Sequence, residues 1–232
     1  MGLKHAVEAA LKNPDRSHRK LWATREGVES LDGELPSDFP VEWAQPADLA
    51  RLVAKDAPHQ GLVLECAPLD DMFLADVLDG DPARPVVVLD QVTDPHNVGA
   101  IMRSAAAFDA CCIVTQDRHA PPESGTLAKS ASGALEVLPG SRGEPRPRTR
   151  GNRRSGLLAH RPGWIGRIDA RRGPSHRPGR TRARRRGDGM RHNITQHCDA
   201  IAKLPISEAM ESLNVSNAAA IALYAAATRE TE

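Results

Sequence analysis

The sequence predicts an α/β protein in which a small amino-terminal α/β domain precedes a larger domain built on a parallel sheet. The chain has 232 residues, 40% of them hydrophobic, so it can bury the cores of one medium and one small domain. Residues 85–89 form a short β-branched run of the kind that parallel sheets bury on both faces. A helical pattern at residues 98–108 and an apolar run at 112–114 follow, and this spacing predicts a βαβ unit.

The first 67 residues predict the small domain. Apolar residues recur at helical spacing near the start of the chain, and Asn13-Pro14 ends that helix. Strand-like pieces follow, separated by proline-containing turns, and residues 47–55 predict a second helix. A turn at residues 58–61 then leads into the apolar run 62–64, which predicts a strand.

Residues 68–84 predict an extended linker, because acidic residues, glycine and proline there favour extension over packing. The larger domain is expected to cover residues 85–232. Near its end, residues 200–206 predict a strand that is ended by proline. The alanine-rich residues 217–228 predict a helix that packs closely, because its side chains are small.

Charge is unevenly distributed along the chain. The formal net charge is +1, but residues 140–186 hold 16 of the 31 basic residues, all of them arginine, and 2 of the 30 acidic residues. The rest of the chain is therefore acidic. Arginine, glycine and proline dominate this atypical stretch, and its apolar residues are too sparse to form one face of a helix or strand. We therefore expect no regular structure between residues 140 and 186.

Two hypotheses explain the atypical stretch. As a basic linker, it would bind RNA phosphates without sequence preference by releasing counterions. Alternatively, the stretch is translated out of frame, since a shifted reading of a GC-rich gene yields many codons for arginine, glycine and proline. The absence of lysine favours the second hypothesis, because a selected RNA-binding segment normally mixes lysine with arginine. An intact coding frame in the source DNA would contradict it.

Several other classes of protein are disfavoured. No apolar run reaches the ~18 to 20 residues that span a bilayer, and the charged start of the chain lacks a signal-peptide core. We therefore expect a cytoplasmic protein with no membrane association. The cysteines fit neither a disulfide framework nor metal-ligand spacing, so we expect reduced, buried thiols and no metal. They are Cys66, Cys111, Cys112 and Cys198.

Two polar residues stand where ligands bind in α/β sheets, at the crossing from a buried strand to a helix. Asn97 is placed to cap the helix predicted at residues 98–108, and Arg103 lies further along it, where a cation can meet a phosphate. On spacing alone, a simple helix cap at Asn97 and a solvated surface charge at Arg103 are favoured over a role in ligand binding.

The segment around these residues resembles the first motif of the SpoU/TrmH family of RNA methyltransferases. That motif has asparagine, glycine two positions later, arginine four after that, and then a small residue and alanine. The matching positions are Asn97, Gly99, Arg103, Ser104 and Ala105. Asp109 departs from the pattern, since the family has glycine there.

Further segments resemble the same family. The segment 127–134 resembles its lysine, serine, glycine and alanine segment, and residues 187–191, 198–206 and 212–218 resemble its long carboxy-terminal motif. The amino-terminal residues resemble the small substrate-binding domain of the rRNA guanosine methyltransferases in the family. The resemblance covers essentially the whole chain apart from residues 140–186.

The resemblance implies a knotted fold and a reaction. Family members tie the carboxy-terminal part of the α/β domain into a trefoil knot of the SPOUT type, bind S-adenosylmethionine in its loops and act as homodimers. They methylate a ribose 2′-hydroxyl of RNA. The amino-terminal resemblance favours a guanosine of 23S rRNA as the substrate, with tRNA as the alternative.

The resemblance also implies roles for individual residues. Arg103 would be the cation beside the acceptor ribose, with Asn97 and Asn214 orienting it and the substrate. The implied cofactor-binding residues are Gly187, Met190, Leu204, Ile206 and Leu213. The implied RNA-binding residues are His59, Gln60, Lys129 and Ser212.

One departure from the family affects the cofactor. The family has a strand ending in leucine, glycine, alanine and glutamate just before the position of Gly187, whereas this chain has Arg182-Ala183-Arg184-Arg185-Arg186. That strand supplies a cofactor-contacting glycine and an acidic active-site residue. We therefore expect the second domain to fold poorly and to bind S-adenosylmethionine weakly. A non-catalytic RNA-binding protein and an inactive product of a frameshifted gene are the alternative functions.

Overall fold

A computed structural model of the chain describes residues 3–33, 35, 39–54, 58–72, 77, 84–116, 120–142, 156–160, 164–168 and 200–228. The chain folds into two compact units, each assembled from segments that are distant in the sequence. The first unit contains Met1–Asp71, Asp94–Arg103 and Pro121–Leu138, and the second contains Met72–Thr93, Ser104–Ala120 and Pro139–Glu232. The predicted domain boundaries at residues 67 and 85 stay a prediction.

The first unit combines a three-stranded sheet with several helices. The helices of this unit are α1 (Leu3–Lys12), α2 (Arg25–Glu29), α3 (Pro46–Leu52), the first part of α4 (Pro95–Ala107), α5 (Gly125–Ala131) and α6 (Ala134–Val137). The strands are β1 (His18–Ala23), β2 (Val41–Trp43) and β3 (Leu62–Cys66), in the spatial order β2, β1, β3. Strand β1 is parallel to β2 and antiparallel to β3. The core beneath the sheet is formed by Val7, Leu21, Ala23 and Leu62.

The second unit is built on a six-stranded sheet. Its strands are β4 (Val86–Asp90), β5 (Cys112–Thr115), β6 (Gly140–Arg142), β7 (Gly156–His160), β8 (Trp164–Ile168) and β9 (Ala200–Lys203), in the spatial order β6, β5, β4, β7, β8, β9. The first four strands in that order are parallel, and β8 is antiparallel to both of its neighbours. Helix α7 (Val215–Thr228) packs against β7 and β8. The predicted βαβ unit is β4, α4 and β5.

The expectation that residues 140–186 lack regular structure is wrong in part. Strands β6, β7 and β8 lie within this stretch, and β7 pairs with β4 from Val86 opposite Gly156 to Asp90 opposite His160. The physical reason lies in the backbone. The edge of a buried strand exposes N–H and C=O groups that must be paired, and a neighbouring segment can satisfy them whatever its side chains are. A composition without periodicity therefore does not exclude a strand.

The carboxyl end of β4 carries a buried polar pair. Asp90 is fully buried, and its carboxylate accepts a hydrogen bond from the side-chain amide of Gln116, which follows β5. The amide oxygen of Gln116 accepts a hydrogen bond from the backbone N–H of Gln91 at 3.3 Å. Gln91 has a φ of 56°, in the left-handed region that costs a residue with a side chain about 1–2 kcal/mol. The pair holds this strained turn in place at the end of the strand.

The described residues show the state of the thiols and the absence of a metal cluster or a membrane-spanning helix among them. Cys111 and Cys112 are buried and outside any disulfide. Cys66 is half-buried, and burial raises the pKa of its thiol, whereas Cys198 lies outside the described residues. Within the described ranges, no three His, Cys, Asp or Glu side chains are grouped so that they could hold a metal ion. No helix in the described part of the chain has the length and apolar character needed to cross a bilayer.

We predict that the substitution Gln91→Gly stabilises the protein. Glycine adopts a positive φ without steric cost, and it keeps the backbone N–H that Gln116 binds, although it also raises the entropy of the unfolded chain. The free energy of unfolding should rise by about 0.5–1 kcal/mol in a denaturant titration. The control is Gln91→Ala, which keeps the strain and should bring no gain. Equal stability of the two variants would contradict the prediction.

Candidate functional site

Helix α4 begins earlier than the sequence predicts, and a different residue caps it. The expected cap was Asn97, but the helix starts at Pro95, so Asn97 lies in its first turn. Asp94 takes the capping position, since its carboxylate accepts hydrogen bonds from the backbone N–H of His96 at 3.2 Å and from the side-chain amide of Asn97 at 2.7 Å. Proline suits the first helical position because its fixed φ is helical and it needs no hydrogen-bond acceptor. The Asp-Pro pair was therefore the sequence signal for this cap.

Helices α4 and α5 approach each other closely at Gly99. A Cβ atom at this position would lie 2.5 Å from the carbonyl oxygen of Leu127, 2.7 Å from Cβ of Ser130 and 2.9 Å from the backbone nitrogen of Ala131. Real Cβ atoms do not approach other atoms so closely, so glycine is required here. The ring nitrogen Nδ1 of His96 also lies 3.1 Å from Oγ of Ser130. The structure thus places the two motifs of the first unit, around Asn97 and around Lys129, side by side.

The two basic residues of these helices differ in exposure. Arg103 is exposed on α4, and Lys129 is half-buried on α5. Among the described residues, no carboxylate lies within ion-pair distance of either side chain. Both cations can therefore meet an anionic ligand without first breaking an ion pair with a described residue.

An open cleft of about 390 Å³ lies in the amino-terminal part of the first unit, and we call it the amino-terminal cleft. Its lining residues are Lys4, Thr24, Glu26, Gly27, Ser30, Pro46, His59, Gln60 and Gly61. The volume falls within the range of pockets that hold small ligands. His59 and Gln60, which the family resemblance implies in RNA binding, both line it.

Local hydrogen bonds fix the turn that carries His59 and Gln60. The ring nitrogen Nδ1 of His59 accepts a hydrogen bond from the backbone N–H of Gly61 at 3.1 Å. The side-chain oxygen of Gln60 accepts one from the backbone N–H of Lys4 at 3.0 Å. Gln60 and Gly61 both have positive φ, at 52° and 79°. The turn is therefore shaped by its own side chains.

The remaining implied site residues follow β9 in the second unit. Leu204, Ile206, Ser212 and Leu213 are half-buried. Asn214 is exposed and precedes α7, where its side-chain oxygen accepts hydrogen bonds from the backbone N–H of Ser216 at 2.8 Å and from the Ser216 hydroxyl at 2.7 Å. Asn214 therefore caps α7. Gly187 and Met190 lie outside the described residues.

The structure adds residues that the sequence reasoning missed. His96 and Ser130 form a hydrogen-bonding pair between α4 and α5, and Lys4 lies in the amino-terminal cleft beside Gln60. The pairing of residues 34 positions apart has no local sequence signal. The start of α1 was predicted as a helix, but its contact with a turn 56 positions away was not.

Comparison with known proteins shows two family matches. Residues 84–146 and 186–224 match the SpoU rRNA Methylase family, and residues 4–72 match the RNA 2′-O ribose methyltransferase substrate-binding family. The first match omits residues 147–185, which are most of the atypical stretch.

Individual relatives agree with the family matches. The chain is 32% identical to the 23S rRNA (guanosine-2′-O-)-methyltransferase RlmB of Ralstonia nicotianae, over 96% of this chain and 92% of that protein. It is 31% identical to an uncharacterised tRNA/rRNA methyltransferase of Synechocystis, over 95% of this chain and 60% of that longer protein. The fold resembles the crystal structure of the SpoU methyltransferase AviRb from Streptomyces viridochromogenes in complex with AdoMet. That similarity has a TM-score of 0.66 and 19% identity, and covers 100% of this chain and 89% of the other.

We predict that Gly99→Ala destabilises the contact between α4 and α5. The added methyl group meets backbone atoms of Leu127 and Ala131, which cannot move without shifting the helix. Overpacking of this kind typically costs about 1–3 kcal/mol, which a denaturant titration would measure. Gly125→Ala is the matched control, because a Cβ there has no atom within 4 Å and alanine favours helix. Loss of stability in the control alone would contradict the assigned contact.

Proposed function

Because the chain belongs to the SpoU family of RNA methyltransferases, we propose that it transfers a methyl group from S-adenosylmethionine to a ribose 2′-hydroxyl of RNA. The observation that carries the proposal is the joining, in one compact unit, of the two family segments around Asn97 and Lys129 with the substrate-binding segment. We further propose that the substrate is a guanosine of 23S rRNA. The Ralstonia relative is named as a 23S rRNA guanosine methyltransferase, which supports that substrate, whereas the name of the Synechocystis relative also includes tRNA.

The acceptor hydroxyl needs help to lose its proton. The pKa of a ribose 2′-hydroxyl lies far above 7, so a positive field near the oxygen lowers the barrier to its attack on the methyl group. We assign this field to Arg103, which is exposed and has no carboxylate within ion-pair distance among the described residues. Asn97 supports the first turn of the same helix through its bond to Asp94. Asn214, which caps α7, is assigned to orienting the substrate.

RNA recognition is assigned to the first unit and to one residue of the second. The amino-terminal cleft offers polar side chains to an RNA backbone or base, including His59 and Gln60. Lys129 supplies a cation on α5, and Ser212 supplies a hydroxyl before α7. Contacts with phosphates position an RNA without specifying its sequence, so the cleft is the better candidate for discriminating among nucleotides.

S-adenosylmethionine supplies the electrophilic methyl group. Three half-buried apolar side chains follow β9 and suit a flat, weakly polar adenine ring: Leu204, Ile206 and Leu213. AviRb binds this cofactor. The cofactor-binding roles of Gly187 and Met190 stay predictions, because both residues lie outside the described part of the chain. The run Arg182–Arg186 before Gly187 carries four guanidinium groups, and nearby positive charges disfavour a sulfonium cation.

A second function is favoured by one observation. The family match is interrupted at residues 147–185, and this stretch is rich in arginine and has no lysine. In this alternative, the first unit and the arginines bind RNA while no methyl group is transferred. Such binding would weaken steeply with salt and would not depend on the cofactor.

We also propose that the protein acts as a homodimer in the cytoplasm. Ile221 and Tyr224 lie three positions apart on α7 and are 45% and 58% exposed, so they form an apolar patch on one helix face. Burial of this patch against a second copy would remove it from water. The cytoplasmic location follows from the proposed rRNA substrate.

We predict cofactor-dependent methyl transfer to rRNA. Purified protein, S-adenosylmethionine with a labelled methyl group, and unmodified 23S rRNA or tRNA are incubated, and the label in RNA is counted. Arg103→Ala should lower the rate by roughly 100-fold or more, because the developing negative charge loses its positive neighbour. Arg51→Ala is the matched control, since Arg51 is an 80% exposed arginine on α3 and its loss should leave the rate unchanged.

The outcomes of this assay separate the two functions. Label in 23S rRNA but not in tRNA supports the proposed substrate. RNA binding without any label, at every cofactor concentration, would contradict methyl transfer and favour the RNA-binding alternative.

We predict that a charge at Ile221 separates the proposed dimer. In Ile221→Lys the ammonium group would have to be buried in an apolar interface, so sedimentation should show monomers where the unchanged protein shows dimers. Leu52→Lys, at a 48% exposed residue of α3, is the control and should leave the mass unchanged. A monomeric unchanged protein would rule out the homodimer.

A further inference from the structure

A buried guanidinium group joins three segments of the first unit. Arg16, just after α1, is 3% exposed. Its Nε and Nη2 atoms donate to the carboxylate of Glu136 at 3.0 and 2.7 Å, and its Nη1 atom donates to Glu123 and to the carbonyl oxygen of Ala67, the latter at 2.9 Å. Glu136 lies in α6 and Glu123 lies just before α5. We call these three charged residues the Arg16 network.

Further hydrogen bonds complete the Arg16 network. The second carboxylate oxygen of Glu123 accepts from the backbone N–H of Leu69 at 3.1 Å. Glu136 accepts from the side-chain amide of Asn13 at 2.9 Å. Burial alone would lower the pKa of Arg16, but hydrogen bonds and charge attraction from Glu136 and Glu123 outweigh burial and raise it. The guanidinium therefore stays charged, and its carboxylate partners are held in fixed positions.

The Arg16 network lies between two functional parts of the first unit. At one end, Asn13 and Arg16 lie in the segment that connects α1 and β1. Helix α1 also carries Lys4, which lines the amino-terminal cleft. The other end is attached to the residues that flank α5, the helix of Lys129. A second contact supports the same packing, because a Cβ at Gly133 would lie 3.1 Å from Cβ of Ala9 in α1.

We propose that Arg16 is a positioning residue whose ion network makes the amino-terminal cleft and the helix of Lys129 a single cooperative unit. RNA that binds in the cleft then meets Lys129 at a fixed place instead of across a hinge. The identity of the ligand as RNA rests on the proposed function. The claim that the Arg16 network joins the amino-terminal cleft to α5 does not. A bidentate pair of this kind fixes direction as well as distance, which a surface ion pair does not.

The test uses a variant that removes the charges without leaving one of them buried alone. It combines Arg16→Met, Glu123→Gln and Glu136→Gln, so the amides still accept from Leu69 and Asn13 while the ion pairs are lost. The matched control combines Arg19→Met and Glu65→Gln, which removes an exposed pair at 3.4 Å. Native-state hydrogen exchange of the full-length protein is then measured with increasing denaturant, first without RNA.

Without RNA, the amides of β3 and α5 should open together in the unchanged protein and in the control. In the triple variant, α5 should exchange about tenfold or more faster than β3, because the charge-assisted bonds made by Glu123 and Glu136 on either side of α5 are gone. A network that only adds stability would instead speed exchange equally in both elements. Equal acceleration, or separate opening already in the unchanged protein, would overturn the proposal.

A second arm adds 23S rRNA at saturation. In the unchanged protein, RNA should slow exchange both in the turn at residues 58–61 and in α5, whereas in the triple variant it should slow exchange in the turn alone. Protection of α5 in both proteins would overturn the proposal. If RNA protects neither element, the proposed RNA substrate is wrong, and the cooperative opening without RNA still decides whether the network joins the two elements.

Discussion

The first unit depends on the burial of one positive charge. A buried guanidinium is costly unless each of its donors is paired, so Arg16 can be accommodated only when the partners from all three segments are in place. Glu123 precedes α5, Glu136 lies in α6, and Ala67 follows β3. The partner residues lie 51 to 120 positions after Arg16 in the sequence, and their segments are therefore ordered together. This interaction holds residues 121–138 against the amino-terminal segments of the same unit.

Local pattern predicted much of the fold. The buried run at β4, the helix α4 and the apolar β5 follow from periodicity alone, because a strand buried on both faces is continuously apolar. The cap of α4 was wrong because Asn97 was preferred to the Asp94-Pro95 signal. Strands β7 and β8 were missed because their pairing satisfies the backbone of β4 and its neighbours, which side-chain composition does not report. The Arg16 network could not be predicted, since no sequence pattern joins residues 107 and 120 positions apart.

The candidate site shows the same division between local and long-range signals. Asn97, Gly99 and Arg103 lie within one helix, so a family motif identifies them without any knowledge of the fold. The physical reason for glycine at residue 99 is the close contact between α4 and α5, which the sequence does not show. The pairing of His96 with Ser130 also depends on that contact. The residues of the first unit that we propose bind RNA are thus described by contacts within that unit, whereas the proposed cofactor site depends on residues around the atypical stretch.

We propose that the RNA-binding residues of the first unit are in place in this chain, while the segment before Gly187 weakens cofactor binding. Calorimetric titration of S-adenosylmethionine into the purified protein tests this claim most directly. We predict weak binding, with a Kd above about 100 μM, in a protein whose first unit is folded. A Kd in the low micromolar range would contradict the claim, because it would show that the arginine-rich segment supports the cofactor site as it stands.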